Sequence, residues 1–510
     1  MNRADGPIVW MLALVLAVGG CADADNRAGS GRADGASISD VGAPESEAST
    51  TEGSKQLRSF DSELGLDEAW VGDLDGMIER RVIRVLVVYS LGQYFFDGAT
   101  QRGATYEALV EFEKFLNKRL GRGTLEVEVF IIPVQRDELM PALEKGLGDV
   151  AAANLTITES RSETVDFSDP FVSGVSELVI TGPSGPALRS LDDLAGQEIH
   201  TRRSSSYWRS LEKLNEDLRS RGLKPTVPVA VEEFLQDEDL LEMVNAGLLP
   251  TTVVDSHKAR FWAQIFDEIV IHEDLAVRTD GKIGWAFRKN SPRLADVVNE
   301  YVRTTRKGTL LGNVVLNRYL KNTTWARKAL AGEDRARFDQ TVEVFDRYGD
   351  RYGFDHLMLA ALAYQESRLD HSVRSAAGAV GIMQVLPTTA ADPNVGIPDI
   401  TTLENNVHAG TKYLRFLRDR YFADPQMDPI DQTLFAFAAY NAGPARVAKL
   451  RKEAADSGLD PNVWFGNVEH VAARRIGRET VQYVSNIAKY YVAYRPASRS
   501  FEAREGMSEN

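Results

Sequence analysis

Apolar positions follow two different rhythms along this chain. Val82 to Val88 is apolar except for Arg84 and predicts a buried strand. Tyr106 to Leu120 repeats at helical spacing, and Leu125 to Ile132 alternates as a strand. Asp137 to Leu147 predicts a short helix ended by Gly148. Strands alternating with helices point to a parallel α/β sheet, whose ligands sit beyond the carboxyl ends of its strands. Beyond about Asp334 the rhythm becomes almost wholly helical. The predicted helices are Asp339 to Tyr352, Leu357 to Ser367, Asn405 to Asp419, Pro429 to Tyr440, Pro444 to Lys452 and Glu479 to Tyr494. Gly353 ends the first of these, and Asp355 suits the N-cap of the second.

At 510 residues the chain implies two or three domains. A formal charge of −15 argues against nucleic acid as a partner, since phosphates call for a basic face. No run of about 20 apolar residues occurs, so no ordinary transmembrane helix is expected. The run Ile8 to Val18 behind Arg3 fits a secretory h-region instead. It leads to Gly19-Gly20-Cys21, which resembles a bacterial lipobox, and Cys21 is the sole cysteine. The resemblance implies cleavage before Cys21 and its lipidation, with Ala22 matching the outer-membrane sorting pattern. Asp23 to Lys55 has almost no large apolar residue and reads as a flexible tether. Ser498 to Asn510 reads as an unstructured tail.

The first folded region carries Gly148-Asp149-Val150, then Leu155-Thr156-Ile157-Thr158-Glu159-Ser160-Arg161, then Val165-Asp166-Phe167-Ser168-Asp169-Pro170-Phe171. These strings resemble the family 3 extracellular solute-binding proteins, which hold amino acids and small peptides between two hinged lobes. The resemblance assigns Arg161 to a ligand carboxylate, which a planar guanidinium clamps through paired bonds. It assigns Asp255, at the end of Val253-Val254-Asp255, to a ligand amino group. Thr156 and Ser204 to Ser206 offer further hydroxyls. Read without the resemblance, Arg161 is a surface arginine at a helix start and Asp255 an N-cap.

In the helical region stand Ala363-Tyr364-Gln365-Glu366-Ser367, the run Ser375 to Gln384, Ala439-Tyr440-Asn441-Ala442-Gly443-Pro444, and Glu479-Thr480 followed by Tyr483-Val484. Together they resemble the catalytic domain of soluble-lytic-transglycosylase-like enzymes, which have a lysozyme-like fold. The resemblance implies that Glu366 performs both proton transfers, with burial raising its pKa. Ser375, Gln384, Tyr440, Asn441, Glu479 and Tyr483 are the implied glycan-binding and positioning residues. Core packing is the competing reading for Tyr440, turn geometry for Asn441, and Tyr483 suits core or cleft equally. Most glycosidases use a second carboxylate, and Asp370, Asp392 and Glu404 stay open for that role.

The expected organisation is multidomain: a signal peptide at 1–20, an anchored tether at 21–80, a two-lobed α/β binding module at 81–310, a linker at 311–335, a mostly α lysozyme-like domain at 336–496 and a tail at 497–510. The resemblances imply a lipid-anchored enzyme at the periplasmic face of the outer membrane. It would cleave peptidoglycan glycan strands without water, to 1,6-anhydromuramyl ends, under a module that senses an amino acid or muropeptide. Two alternatives stand beside this: a solute-binding lipoprotein with an inactive C-terminal domain, and a lysozyme-type hydrolase. No cofactor or metal is expected, since the histidines lack ligand spacing.

Overall fold

A computed structural model describes residues 60–508, except 307 and 332. The expected signal peptide, Cys21 and most of the tether lie outside the described residues. Residues 60–80, expected as the end of the tether, are instead part of the folded body. A helix at Leu74–Arg80 (α1) buries Leu74 and Met77, and Arg84 donates to the Glu68 carbonyl at 2.7 Å. Arg84 thereby explains its place in an apolar strand. It is fully buried, pairs with Asp149 at 3.1 Å, and donates to the Gly146 carbonyl at 2.6 Å. A buried cation is tolerated only when paired and hydrogen-bonded in this way.

The first module is built on a nine-stranded sheet. Its strands are β1 (Val82–Val87), β2 (Glu128–Pro133), β3 (Val150–Thr156), β4 (Val165–Phe167), β5 (Val172–Thr181), β6 (Glu198–Thr201), β7 (Val227–Ala230), β8 (Thr251–Asp255) and β9 (Val270–Arg288). The order is β2-β1-β3-β9-β5-β8-β6-β7, with β4 paired to β9. β1, β2 and β3 are parallel, as the alternation predicts. The sheet as a whole is mixed, because β9 runs antiparallel to β3, β4 and β5. β5 and β9 are long enough to serve both lobes. Near Val270 β9 pairs with the C-terminal end of β5, and at Ile283–Phe287 it pairs with β3. Register shifts between His272 and Lys282 mark the crossing, where irregular pairing bends a strand.

Each lobe has its own core. Val85, Phe112, Trp285 and Tyr301 belong to the first, with α2 (Ala104–Arg119) and α3 (Pro292–Thr305) packed on its sheet. Leu178, Val254, Phe261 and Trp262 belong to the second. Residues 311–335, expected as a plain linker, form helices α4 (Leu310–Leu320) and α5 (Thr324–Ala331). These fasten the lobes together. Trp325 stacks on Phe261 of lobe two at 5.4 Å and lies 5.1 Å from Phe95 of lobe one.

The second module is helical. It begins with α6 (Glu333–Tyr352) and α7 (His356–Ser367), and continues through α8 (Leu403–Tyr421), α9 (Pro429–Ala442) and α10 (Pro444–Asp456) to α11 (Arg478–Ser508). α11 runs through the stretch expected as an unstructured tail, whose Glu, Ala and Arg residues favour helix. No described helix is long and apolar enough to cross a membrane. The hydrophobic cluster of this module takes in Leu66, Ala99 and Phe130 of the first module. Ion pairs frame that shared core: Arg81 to Glu469 and Arg478 to Glu126, both at 2.5 Å.

Candidate active site and ligand cleft

α7 is apolar on every side, and Leu357 through Tyr364 are all buried. Such a helix runs through a core rather than along a surface. Asp355 caps it, accepting from the Leu357 and Met358 amides at 2.8 and 3.3 Å. At the other end Arg368 turns left-handed, leaving Glu366 in the last turn. The Ser367 hydroxyl donates to the Ile382 carbonyl at 2.7 Å, which ties the helix end to the loop Gly381–Gln384.

That loop is pinned from behind by Asn406 of α8, a residue the sequence reading does not single out. Its amide oxygen accepts from the Met383 N–H at 2.9 Å, and its nitrogen donates to the Val380 and Ile400 carbonyls at 2.8 and 3.3 Å. Gly381 sits at φ +78°, and a Cβ there would lie 2.6 Å from the Asn406 amide nitrogen. Met383 and Ile382 are buried beneath the loop.

Glu366 is half-buried, and desolvation pushes its carboxyl up to about 7 against the opposing effect of the Tyr483 hydrogen bond. Tyr483 donates to Glu366 Oε1 at 2.5 Å. Tyr440 also lies in the electrostatic reach of Glu366, but its hydroxyl donates to the Met383 carbonyl at 2.7 Å. Gln384, at φ 48°, directs its amide nitrogen to the Val373 and Gly381 carbonyls. Its amide oxygen has no hydrogen-bond partner among the described residues.

The remaining predicted residues stand further out. The Ser375 hydroxyl accepts from the Ala379 amide at 3.0 Å and shapes its own turn. Asn441 Oδ1 accepts from the Thr480 hydroxyl at 2.8 Å, joining the ends of α9 and α11. Glu479 is exposed in the first turn of α11. The three spare carboxylates are engaged elsewhere. Asp370 accepts from the Ser372 amide and hydroxyl, Asp392 from Asn394, and Glu404 pairs with Arg347 at 2.7 Å. Among the described residues no His, Cys, Asp or Glu cluster is arranged to hold a metal ion.

In the first module the lobes meet around the other predicted residues. Arg161 sits in the helix Glu159–Thr164 after β3 and donates to the Thr156 carbonyl of lobe one and the Ser204 carbonyl of lobe two, each at 2.9 Å. The Thr156 hydroxyl accepts from Ser206 at 3.3 Å. Asp255 is buried at the end of β8 and accepts from Asn154 at 3.1 Å. Its other oxygen has no hydrogen-bond partner among the described residues. Burial, chiefly, raises its carboxyl to about 7, with Lys258 opposing. Arg136, Tyr207, Asp237 and Lys258 complete a buried polar seam that the sequence does not mark. Arg136 reaches Gln236 across the lobes at 3.2 Å, while Lys258 and Tyr207 both donate to Asp237.

Comparison with known proteins divides the chain in the same way. The family of bacterial extracellular solute-binding proteins, family 3, matches residues 108–314. The Transglycosylase SLT domain family matches residues 343–461. A protein of Desulfosudis oleivorans named membrane-bound lytic murein transglycosylase F is 29% identical over 430 residues, 80% of this chain and 89% of its own. One of Pseudomonas fluorescens with the same name is 28% identical over 444 residues, 82% of this chain and 85% of its own. Among solved structures, an ancestral arginine-binding protein bound to arginine covers 47% of this chain and 97% of its own, at 21% identity and a TM-score of 0.38.

Proposed function

We propose that this lytic transglycosylase, which joins a family 3 solute-binding module to an SLT domain and is homologous to the membrane-bound lytic murein transglycosylase F proteins, cleaves peptidoglycan between N-acetylmuramic acid and N-acetylglucosamine. The reading rests on one observation above the others. Glu366 is half-buried and raised toward neutrality, and no other carboxylate contributes to that shift. It enters the reaction protonated and gives its proton to the glycosidic oxygen as the C1–O4 bond breaks. As a carboxylate it then takes the proton of the muramyl 6-hydroxyl, whose oxygen bonds to C1. The product is a 1,6-anhydromuramyl end, the glutamic acid is restored, and no water is consumed. The substrate's acetamido group stabilises the positive centre that a second carboxylate serves in most glycosidases.

Tyr483 holds Glu366 in place, and Gln384 offers its amide oxygen to the sugar at the reacting centre. Tyr440 and Asn441 fix the cleft from α9, while Ser375 and Glu479 meet the glycan at its rim. The catalytic unit begins near residue 333 and the binding module near residue 60. Arg161, Thr156 and Asp255 hold an amino acid or muropeptide between the lobes. Arg161 would then exchange its carbonyl partners for a ligand carboxylate, and the unpartnered oxygen of Asp255 would meet an ammonium. Lipidation of Cys21 would anchor the protein at the periplasmic face of the outer membrane.

Digestion of purified sacculi with the full chain and with Glu366→Gln, read by mass spectrometry, tests the chemistry. Anhydro ends that vanish in the variant are expected. Reducing ends heavier by one water, or no released fragments at all, would overturn it.

A further inference from the structure

A ladder of side-chain hydrogen bonds runs along one face of α11 toward Glu366. Arg478 Nε donates to Gln482 Oε1 at 3.0 Å, Gln482 Nε2 to Asn486 Oδ1 at 3.2 Å, and Asn486 Nδ2 to Gln365 Oε1 at 3.1 Å. Gln365 immediately precedes Glu366 on α7. Tyr483 and Asn486, three residues apart and so on one face of α11, hold Glu366 and Gln365 in turn. The ladder therefore ends beside the carboxyl that acts on the glycan.

Its polarity is fixed from the far end. A guanidinium only donates, whereas a side-chain amide has one atom that donates and one that accepts. Arg478 is itself held by Glu126 of the first module, at 2.5 Å. Gln482 turns its oxygen to Arg478 and so its nitrogen to Asn486, which turns its own nitrogen to Gln365. Gln365 spends its oxygen on that bond. Its Nε2 has no hydrogen-bond partner among the described residues, and its side chain is half-buried rather than sealed. The relay leaves a donor, and not an acceptor, next to Glu366.

We propose that Gln365 is a specificity-determining residue whose amide donates to the acetamido carbonyl of the glucosamine unit that leaves as the glycan bond breaks. This rests on the peptidoglycan reading above. There the muramyl acetamido group is turned to its own C1, so the acetamido carbonyl still free beside the scissile bond is that of the glucosamine. A hydroxyl can rotate to meet either polarity. An acetamido carbonyl only accepts, and the ammonium of a de-N-acetylated glucosamine only donates. A fixed donor therefore favours N-acetylated strands, because an ammonium at that place would leave both groups without a partner.

The test measures kinetics of the full chain on soluble, peptide-free glycan strands, either fully N-acetylated or enzymatically de-N-acetylated at glucosamine alone. Wild-type KM should be about 10-fold or more lower for the acetylated strands. Gln365→Met, which keeps the length and removes the donor, should raise that KM about 5-fold, with kcat changed less than about 2-fold and the pH profile unmoved. A second variant reverses the relay from outside the site. Arg478→Glu combined with Glu126→Arg keeps the ion pair but puts an acceptor at the far end, so each amide turns over and Gln365 presents its oxygen. The preference for acetylated strands should then collapse, with thermal unfolding as in the wild type; if the exchange does not fold, Gln365→Met decides. Equal KM for both strands in the wild type, unchanged KM in Gln365→Met, or a folded exchange variant that keeps the preference would overturn the assignment. Products are read separately. Anhydro ends with no effect of Gln365 on KM sink only this residue, and hydrolytic ends with the acetyl preference intact sink only the reaction assigned to Glu366.

Discussion

Tyr483 and Glu366 stand 117 residues apart in the chain and share one hydrogen bond, at 2.5 Å. The bond links the last turn of α7 to the second turn of α11 across the core of the helical module. Tyr483 is buried and Glu366 half-buried, so the bond acts in a medium that strengthens it. It has two effects of opposite sense. It fixes where the carboxyl points, and it favours the ionised form, working against the burial that raises the pKa.

The tyrosine therefore holds the pKa of Glu366 below where burial alone would put it. In Tyr483→Phe the bond that favours the carboxylate is gone while burial remains. The alkaline limb of the pH–activity profile, near pH 7 for a group raised to about 7, should move upward by several tenths of a unit or more. Overall rate should fall about 10-fold or more as positioning is lost. A limb that stays in place or moves down would show that the hydroxyl does not set the acidity.

The same shift makes Glu366 a cost to stability. Its folded pKa is raised, so the native state holds the proton more tightly than the unfolded chain. Stability from this group is greatest below about pH 4.5 and declines until about pH 7. Replacing it with Gln removes the penalty. Denaturant unfolding at pH 8 should find Glu366→Gln more stable by about 2–3 kcal/mol, with the difference vanishing near pH 4. Equal stability at both pH values would deny the raised pKa.

Gly381 has room for no side chain. A Cβ would press on Asn406 at 2.6 Å and on His371 at 2.8 Å, from a φ of +78°. Gly381→Ala should cost about 2 kcal/mol or more in thermal unfolding. It should also displace Gln384 and raise KM more than it lowers kcat. A variant with ordinary stability and kinetics would mean that the loop is not pinned by Asn406.

Asp255 gives the binding module a proton signature. Raised to about 7, it is partly protonated at neutral pH. An amino acid or muropeptide that places an ammonium against it would drive the proton off, releasing about half a proton per ligand at pH 7. Calorimetry in two buffers of different ionisation enthalpy reads that number directly. Zero release on binding would remove Asp255 from the ligand contacts.

Much of this was legible because it is local. The caps of α7, the glycines of its following loop and the position of Glu366 are all written within a few residues of one another. Parallel pairing of β1, β2 and β3 follows from alternating strand and helix. What depends on distant partners was not legible. No periodicity tells that Val270–Arg288 is one strand crossing two lobes, which turns a parallel sheet into a mixed one. Tyr483 suits core or cleft equally until α11 is seen against α7. Lys489 reads as an ordinary helix lysine, and only β2 and α2 supply its two carboxylates. Trp70, Leu74 and Met77 were apolar positions too sparse to mark a folded segment after a polar stretch.

Leu66, Ala99 and Phe130 lie in the same hydrophobic cluster as the core of the helical module. Covalent linkage is thus the lesser of the two ties between the modules. A protease that cut the chain between α5 and α6 would leave two fragments still held by shared apolar surface and by the Arg81–Glu469 pair. Heat should find no weak seam at that junction, and calorimetry should trace the melting of both as one cooperative event.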